Sequence, residues 1–390
     1  MRGARPVLRL RIAVVTPGFS ADEEDWCIPV LRHLVRELAR EHEVTVYTLR
    51  YPHHVRSYHL FGARVRAFGG AARGGLRRLP LLLRAWRAIV ADGRRWPYDV
   101  LHGFWADEPG FVAAVAARRL RVPAVVSLMG GELAALPQLG YGTQLSRSGR
   151  WLTRLSLRLA RTVTAGSPLL QAQARPYLAG TGARLLPLGV DTALFYPDPA
   201  SQAAAQSSSG ERGPRLLHVG SLVPVKDQAT LLEAFAEIVR DAPRARLDVV
   251  GEGPLLPALA RQARSLGLQR RVTFHGAVPH HHLPPFYRRA DLFLLSSRFE
   301  SQNLAFLEAA ACGLPTVGSA VGLLPALLPA ACLAPPGDAP ALAAAALELL
   351  QDPARRRALA RELRRRVVRE LTVEGTVGRL GGMYGGLGLG

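Results

Sequence analysis

The sequence predicts a two-domain α/β protein built on parallel sheets, and three observations lead there. Short β-branched or apolar runs alternate with segments of helical period along most of the 390 residues, as in successive strand–helix–strand units. Residues 198–214 are small, polar and without period, which is a linker composition, and a second strand–helix series follows them. The length is too great for one ordinary domain, and 48% hydrophobic residues can fill two cores.

The elements follow in order. Residues 9–16 read as a first strand, with a loop over 17–25 and a helix running to Arg40. Strands are expected at 44–49 and 63–68, then a basic amphipathic helix over 79–91. Strands at 100–102, 124–128, 162–165 and 184–188 complete the first sheet. Beyond the linker, strands are expected at 215–219, 246–251, 272–275, 292–295, 316–318 and 332–334. An Arg-rich helix at about 354–371 and a glycine-rich tail close the chain.

Composition narrows the function classes. The longest apolar stretches, 323–336 and 339–350, fall short of the ~20 residues a bilayer needs. Arg9 and Arg11 interrupt the first apolar run, which argues against a secretory signal. Cys27, Cys312 and Cys332 have no metal-ligand spacing and cannot all pair within one chain, so a reducing cytoplasm is expected. The formal net charge is +20, and residues 1–198 hold 28 Arg against 14 acids. A basic first half suits nucleic acid, anionic lipid or a phosphorylated substrate, although GC-rich coding alone also inflates Arg. Of 50 basic residues only Lys226 is lysine, and Asn303 is the only asparagine. Both need A-rich codons, so their survival marks these positions as resistant to substitution.

Both single residues lie in constellations that carry chemistry. In Leu217-His-Val-Gly-Ser-Leu-Val-Pro-Val-Lys226-Asp, a strand ends at Val219, Gly220 lets the backbone turn, and a lysine follows near a helix start. Amides at such a turn bind phosphate and lysine adds a point charge; the plain alternative is a solvated surface lysine. In the stretch 296–317 a loop carries Glu300, a helix starts near Asn303 and stops at Gly313, and Glu308 lies within about two turns. Both carboxylates can then border one cleft at the carboxyl ends of the strands, or be ordinary helix-start and helix-surface acids. Amides at Asn303 and Leu304 form a helix N-terminus that can face an anion.

Together these residues resemble the family 4 retaining glycosyltransferases of the GT-B fold. Glu300, seven intervening residues, Glu308, then Gly313-x-Pro315 reproduce that family's motif. Val249-Val-Gly-Glu-Gly-Pro254, Val272-Thr-Phe-His-Gly-Ala-Val278 and Leu188-Gly-Val-Asp191 extend the resemblance over nearly the whole chain. It implies two Rossmann-like domains facing a central cleft: 1–198 on the acceptor side, and 199–390 for the donor with its final helix crossing back. It implies transfer of a hexose, with retention, from a nucleotide-diphosphate sugar to an acceptor hydroxyl in cell-envelope polysaccharide or glycolipid synthesis. Glu308 would take the ribose hydroxyls, Lys226 the diphosphate, Glu300 the transferred sugar, and backbone at Val278 the base. Gly220, Ser221, Arg298, Asn303 and Leu304 complete the implied donor site; Gly18, His102 and Gly130 mark the acceptor side.

No cofactor or metal is expected, the nucleotide sugar being substrate. Implied partners are that donor and a glycan or lipid-linked acceptor, without nucleic acid. Leu81, Leu82, Leu83 and Trp86, beside Arg73, Arg77, Arg78, Arg84, Arg87, Arg94 and Arg95, suggest peripheral contact with anionic membrane at the inner face; a solvated helix packed by its leucines is the alternative.

The chain departs from the family at three places. Ser221 stands where an Arg is usual, and Arg298 is the expected compensating charge. Gln302-Asn303 replaces a Phe-Gly pair. Met129-Gly130-Gly131-Glu132 lacks the histidine that normally reaches the donor sugar. His102 can line the acceptor cleft or sit in a packed aromatic cluster. His280, His281 and His282 lack the further ligands a metal would need. Two other readings fit: a basic membrane- or nucleic-acid-binding protein on a degenerate transferase scaffold, and a nucleotide-sugar epimerase.

Overall fold

The computed structural model describes residues 9–70, 75–178, 180, 182–198 and 213–387. Linker residues 199–212, Arg73 and the last three residues lie outside these. Contacts divide the chain into two units, Met1–Leu188 with Val373–Gly390, and Gly189–Thr372. The division precedes the expected boundary at 198 because Val190 donates its N–H to Leu371 O at 2.9 Å, and Val190 and Phe195 are buried in the second core.

Among the described residues the first unit holds an eight-stranded sheet in the order β3-β4-β2-β1-β5-β6-β7-β8. Its strands are β1 (Arg11–Gly18), β2 (Glu43–Tyr51), β3 (Val55–Leu60), β4 (Ala63–Phe68), β5 (Val100–Phe104), β6 (Ala124–Leu128), β7 (Thr162–Ala165) and β8 (Arg184–Leu185). Residues of β5, β6 and β7 are buried throughout, as strands covered on both faces must be. Helix α1 (Pro29–Glu41) starts on a proline at its first turn and buries Val30, Leu31, Leu34, Val35 and Leu38 along one stripe. Each such leucine contributes about 1.5–3 kcal/mol of burial. Helices α2 (Leu79–Arg95), α3 (Glu108–Leu120), α4 (Arg147–Leu159) and α5 (Pro168–Ala174) complete the strand–helix series.

Strand β3 was not expected. Its half-exposed sequence, Val-Arg-Ser-Tyr-His-Leu, has little apolar signal, and it pairs antiparallel with β4 at the sheet edge. The turn Phe61-Gly62, with both φ positive (52° and 79°), is the two-residue geometry that closes a tight hairpin.

The second unit has a parallel sheet in the order β11-β10-β9-β12-β13-β14. The strands are β9 (Arg215–Val219), β10 (Arg246–Val250), β11 (Val272–Phe274), β12 (Leu292–Leu295), β13 (Thr316–Ser319) and β14 (Leu333–Ala334). Helices α6 (Gln228–Asp241), α7 (Leu256–Ser265), α8 (Pro284–Arg289), α9 (Leu304–Ala311), α10 (Leu324–Leu327), α11 (Ala339–Gln351) and α12 (Pro353–Glu370) cover it. Phe235, Phe293 and Phe306 are fully buried in its core. Strand order runs outward in opposite directions from β9 and β12, so the crevice at their carboxyl ends is the switch point where such sheets bind ligands.

The expected glycine-rich tail is instead helix α13 (Val373–Leu387), which belongs to the first unit. Val377, Leu380, Met383 and Tyr384 bury one face, and Thr376 Oγ1 donates to Pro187 O at 3.0 Å. Packing therefore overrides a run of glycines that costs about 1 kcal/mol each relative to alanine. The element that returns to the first unit is this helix, not α12, whose Leu363 and Val367 lie in the second core.

Candidate active site

The site is built where β9 and β12 end. After Val219 the chain passes Gly220 and Ser221 into the short turn Pro224–Lys226, and Asp227 (φ 49°, ψ 48°) then starts α6. The tight glycine requirement lies not at Gly220, as expected, but across from it. A Cβ at Gly251 would stand 2.0 Å from Gly220 O, and one at Gly253 would stand 2.4 Å from Leu222 O. Their φ values of 135° and 158° exclude a side chain independently. The Gly251-x-Gly253 pair thus lets two loops touch backbone to backbone, with Leu222 N–H donating to Glu252 O at 2.8 Å. A Cβ at Gly220 would meet only His218 Nε2 at 3.5 Å and Lys226 Cδ at 3.9 Å. Glycine there keeps the space beside Lys226 open.

Lys226, Glu300 and Asn303 form one hydrogen-bonded group. Glu300 Oε1 accepts from Lys226 Nζ at 2.5 Å, Ser297 Oγ at 2.7 Å and Asn303 Nδ2 at 2.9 Å. Asn303 has a positive φ of 79°, and its Oδ1 caps α9 by accepting from Phe306 N–H at 2.8 Å. Both ends of one amide and an unusual backbone angle are therefore used at once, which accounts physically for the chain's single asparagine. Leu304, the first residue of α9, is half-buried against the core, as is Val278.

Glu308 is buried, and its two oxygens have separate partners: His280 Nε2 at 2.7 Å and Tyr287 Oη at 2.7 Å. It is thus not a helix-surface acid. Burial beside this carboxylate pushes the Tyr287 phenol far up, so it stays a donor. His218 lies under the turn, with Nδ1 against Leu294 O at 3.0 Å; burial pushes it down to about 4, so it is neutral. Gln228 Nε2 reaches both His218 Nε2 (3.3 Å) and Ser221 O (2.9 Å), tying the exposed Ser221 loop to that ring.

Arg298 is oriented beside the start of α6: its Nε donates to Asp227 Oδ2 and its Nη1 to Pro336 O at 3.3 Å.

In the first unit, Gly18 ends β1 where a Cβ would press on Cys27 Sγ at 3.2 Å and Tyr51 Cβ at 3.3 Å. His102 is completely enclosed and presents no ring edge to solvent. Its Nδ1 meets Tyr384 Oη at 2.6 Å and its Nε2 meets Ser127 Oγ at 2.7 Å, so it is a core histidine stacked on Phe104. Burial pushes it down to about 3. The unfolded chain therefore binds a proton that the folded unit excludes, and stability is lost as pH falls below ~6.5. About 2 kcal/mol should be lost at pH 5 relative to pH 7 through this ring alone. The melting temperature of His102→Gln measured across that range should fall less steeply than that of the wild type; identical slopes contradict the assignment.

Sequence reasoning passed over Glu132, whose role is set by neighbours distant in sequence. Its carboxylate accepts from Gly130 N–H at 2.6 Å, Met129 N–H at 2.8 Å and Ala106 N–H at 3.2 Å, joining the loops after β5 and β6. Asp107 beside it is pushed up to about 7 by burial, then by the charges of Glu132 and Glu108. His280 and Tyr287 were also missed as partners of Glu308; the only signal was a histidine run beside the expected base contact at Val278.

Comparison with known proteins places the chain among sugar-transferring enzymes. Residues 213–352 match the family model described as Glycosyl transferases group 1, and residues 29–194 match Glycosyltransferase Family 4. A D-inositol 3-phosphate glycosyltransferase of Kineococcus radiotolerans is 33% identical over 335 residues, covering 76% of this chain and 75% of that enzyme. A GDP-mannose-dependent alpha-(1-6)-phosphatidylinositol monomannoside mannosyltransferase of Mycolicibacterium smegmatis is 34% identical over 186 residues, 45% of this chain. The match spans about half of that relative, 48% of its length. The solved sucrose-phosphate synthase of Thermosynechococcus elongatus superposes with a TM-score of 0.79 at 25% identity, covering 97% of this chain and 99% of that one. Anabaena HepE in complex with UDP-glucose shares the fold, with a TM-score of 0.75 at 19% identity over 97% of this chain and 100% of that one.

Proposed function

We propose, for a chain that belongs to glycosyltransferase family 4 and has the GT-B class of fold, that it transfers a hexose from a nucleotide-diphosphate sugar to an acceptor hydroxyl with retention of configuration. The observation that carries this reading is the pairing of Lys226 with Glu300 at the switch point of the second sheet, with Glu308 on the helix that Asn303 caps. A diphosphate leaving group gains negative charge as the glycosidic bond breaks, and a preorganised ammonium stabilises that charge most in the transition state. Lys226 supplies it. Glu300 meets the transferred sugar, and Glu308 accepts the ribose hydroxyls while Tyr287 and His280 hold it in place. Gly220, Ser221, Leu304 and backbone at Val278 line the remaining donor surface, and the Gly18 and Gly130 loops serve the acceptor.

The relatives named for phosphatidylinositol mannoside and inositol phosphate substrates support an acceptor of the glycolipid or polyol type. A panel of nucleotide sugars tests the donor. Ligand at ~100 times its dissociation constant should raise stability by ~2.7 kcal/mol, seen as a shifted thermal transition. No shift with any member contradicts donor binding.

Peripheral contact of the first unit with an anionic membrane belongs to the same reading, in altered form. Leu82 of α2 is buried, and Leu81 and Trp86 pack against the core, which leaves Leu79 and Leu83 as its exposed leucines. Arg78 is held by Glu108 and Arg84 folds over Phe68, whereas Arg77, Arg87, Arg94 and Arg95 are exposed. Attraction is thus electrostatic rather than by insertion. No helix among the described residues is long and apolar enough to cross a membrane. The protein should co-sediment with anionic vesicles and be released by salt. Arg87→Ser with Arg94→Ser should weaken this by roughly 10- to 30-fold, at ~1 kcal/mol per charge. Equal binding to neutral vesicles removes the claim.

A further inference from the structure

A cavity of about 380 Å³ opens at the other end of the second sheet. It is lined by Ala290 and Asp291 just before β12 and by Gly313, Leu314 and Pro315 just before β13, whereas Glu300 follows the end of β12. Five arginines line it: Arg288 of α8, and Arg356, Arg357, Arg361 and Arg364 of α12. The lining holds one acid, Asp291, whose Oδ2 already accepts from Arg215 N–H at 2.8 Å.

An Arg-rich helix often has only a solvated basic face, but α12 sorts its charges. Its acids Glu362 and Glu370 pair with Arg365 and Arg369, away from the cavity. Arg357, Arg361 and Arg364 have spacing i, i+4, i+7, which puts them on one face, and none has an ion pair among the described residues. Arg364 Nε is in addition buried without a hydrogen-bond partner. A buried N–H of that kind is costly unless something accepts from it. Arg288 is oriented by donating its Nε–H to Tyr196 O at 2.8 Å and lying over the Tyr196 ring. Cys312 also lines the cavity and is itself buried. Arg288 and Arg364 thus border the same recess from α8 and α12.

We infer that this cavity is a second anion site, separate from the donor site, that takes a phosphate- or diphosphate-bearing small molecule. Guanidinium forks match phosphate oxygens in pairs, and several around one recess fit a multiply charged oxyanion better than a single carboxylate. The volume lies in the range of small-ligand pockets. Tyr287 lines the cavity and also donates to Glu308, so an occupant would sit one side chain from the donor machinery.

Calorimetric titration of inorganic pyrophosphate into the full chain tests this. Arg357→Ser with Arg361→Ser, both exposed positions whose change spares the core, should weaken one binding event by roughly tenfold to hundredfold. Lys226→Ala should leave that event in place. Arg365→Ser with Arg369→Ser removes the same charge from the same helix outside the cavity and should also leave it. The site is overturned if wild type takes up no pyrophosphate at millimolar concentration, if Lys226→Ala abolishes all binding, or if the two double variants lose binding equally.

Discussion

Replacing Lys226 with alanine is expected to lower kcat/KM for the nucleotide sugar by roughly 10²- to 10³-fold, about 2.7–4 kcal/mol of transition-state stabilisation. The Lys226 ammonium is oriented by Glu300 Oε1 at 2.5 Å. A bound diphosphate brings more negative charge than that single carboxylate, and its charge grows as the sugar departs. The fold should survive, because Ser296 Oγ donates to the backbone carbonyl of Lys226 at 2.9 Å, a bond alanine keeps. Glu300 also keeps its donors Ser297 and Asn303, so no buried carboxylate is stranded. Steady-state rates, with circular dichroism to verify folding, decide the matter; an unchanged kcat/KM removes Lys226 from the chemistry.

The second large effect separates the two carboxylates. Glu308→Gln should weaken nucleoside diphosphate and intact donor alike, by about tenfold to hundredfold, because charge-assisted hydrogen bonds to ribose are worth roughly 1.5–3 kcal/mol. The substitution is nearly isosteric, and Tyr287 and His280 can reorient hydroxyl and ring protons toward an amide, so the helix should hold. Glu300→Gln acts differently. It removes the negative charge that three donors converge on, which frees Lys226 and loosens the Asn303 side chain that caps α9. Turnover should fall while affinity for the free diphosphate is spared or slightly raised. A fully active Glu300→Gln would show that the transferred sugar lies elsewhere.

Much of this was legible in the sequence, for reasons particular residues make plain. Strands β9 and β12 were found to the residue because their apolar runs are short, bounded and buried on both faces. Codon economy marked the single lysine and the single asparagine in two separate stretches, and the fold joins both to Glu300. Tertiary contacts supplied the rest. His102 and Tyr384 are 282 residues apart, so nothing local marks the histidine as core. The glycines of α13 hide a helix that only packing stabilises. Gly251 and Gly253 stood out only as part of the family resemblance, and their contact with the loop 220–222 is visible only in the fold. Arg298 was singled out by its charge alone, and the acid that orients it, Asp227, lies 71 residues away.

The most direct test is calorimetric titration of free GDP and free UDP into wild type, Lys226→Ala, Glu308→Gln and Glu300→Gln. The account predicts that one nucleotide binds wild type, that Lys226→Ala and Glu308→Gln each weaken it at least about tenfold, and that Glu300→Gln binds it as well as wild type. If Glu300→Gln loses as much affinity as Glu308→Gln, or if all three variants bind like wild type, the donor does not lie between Lys226 and Glu308.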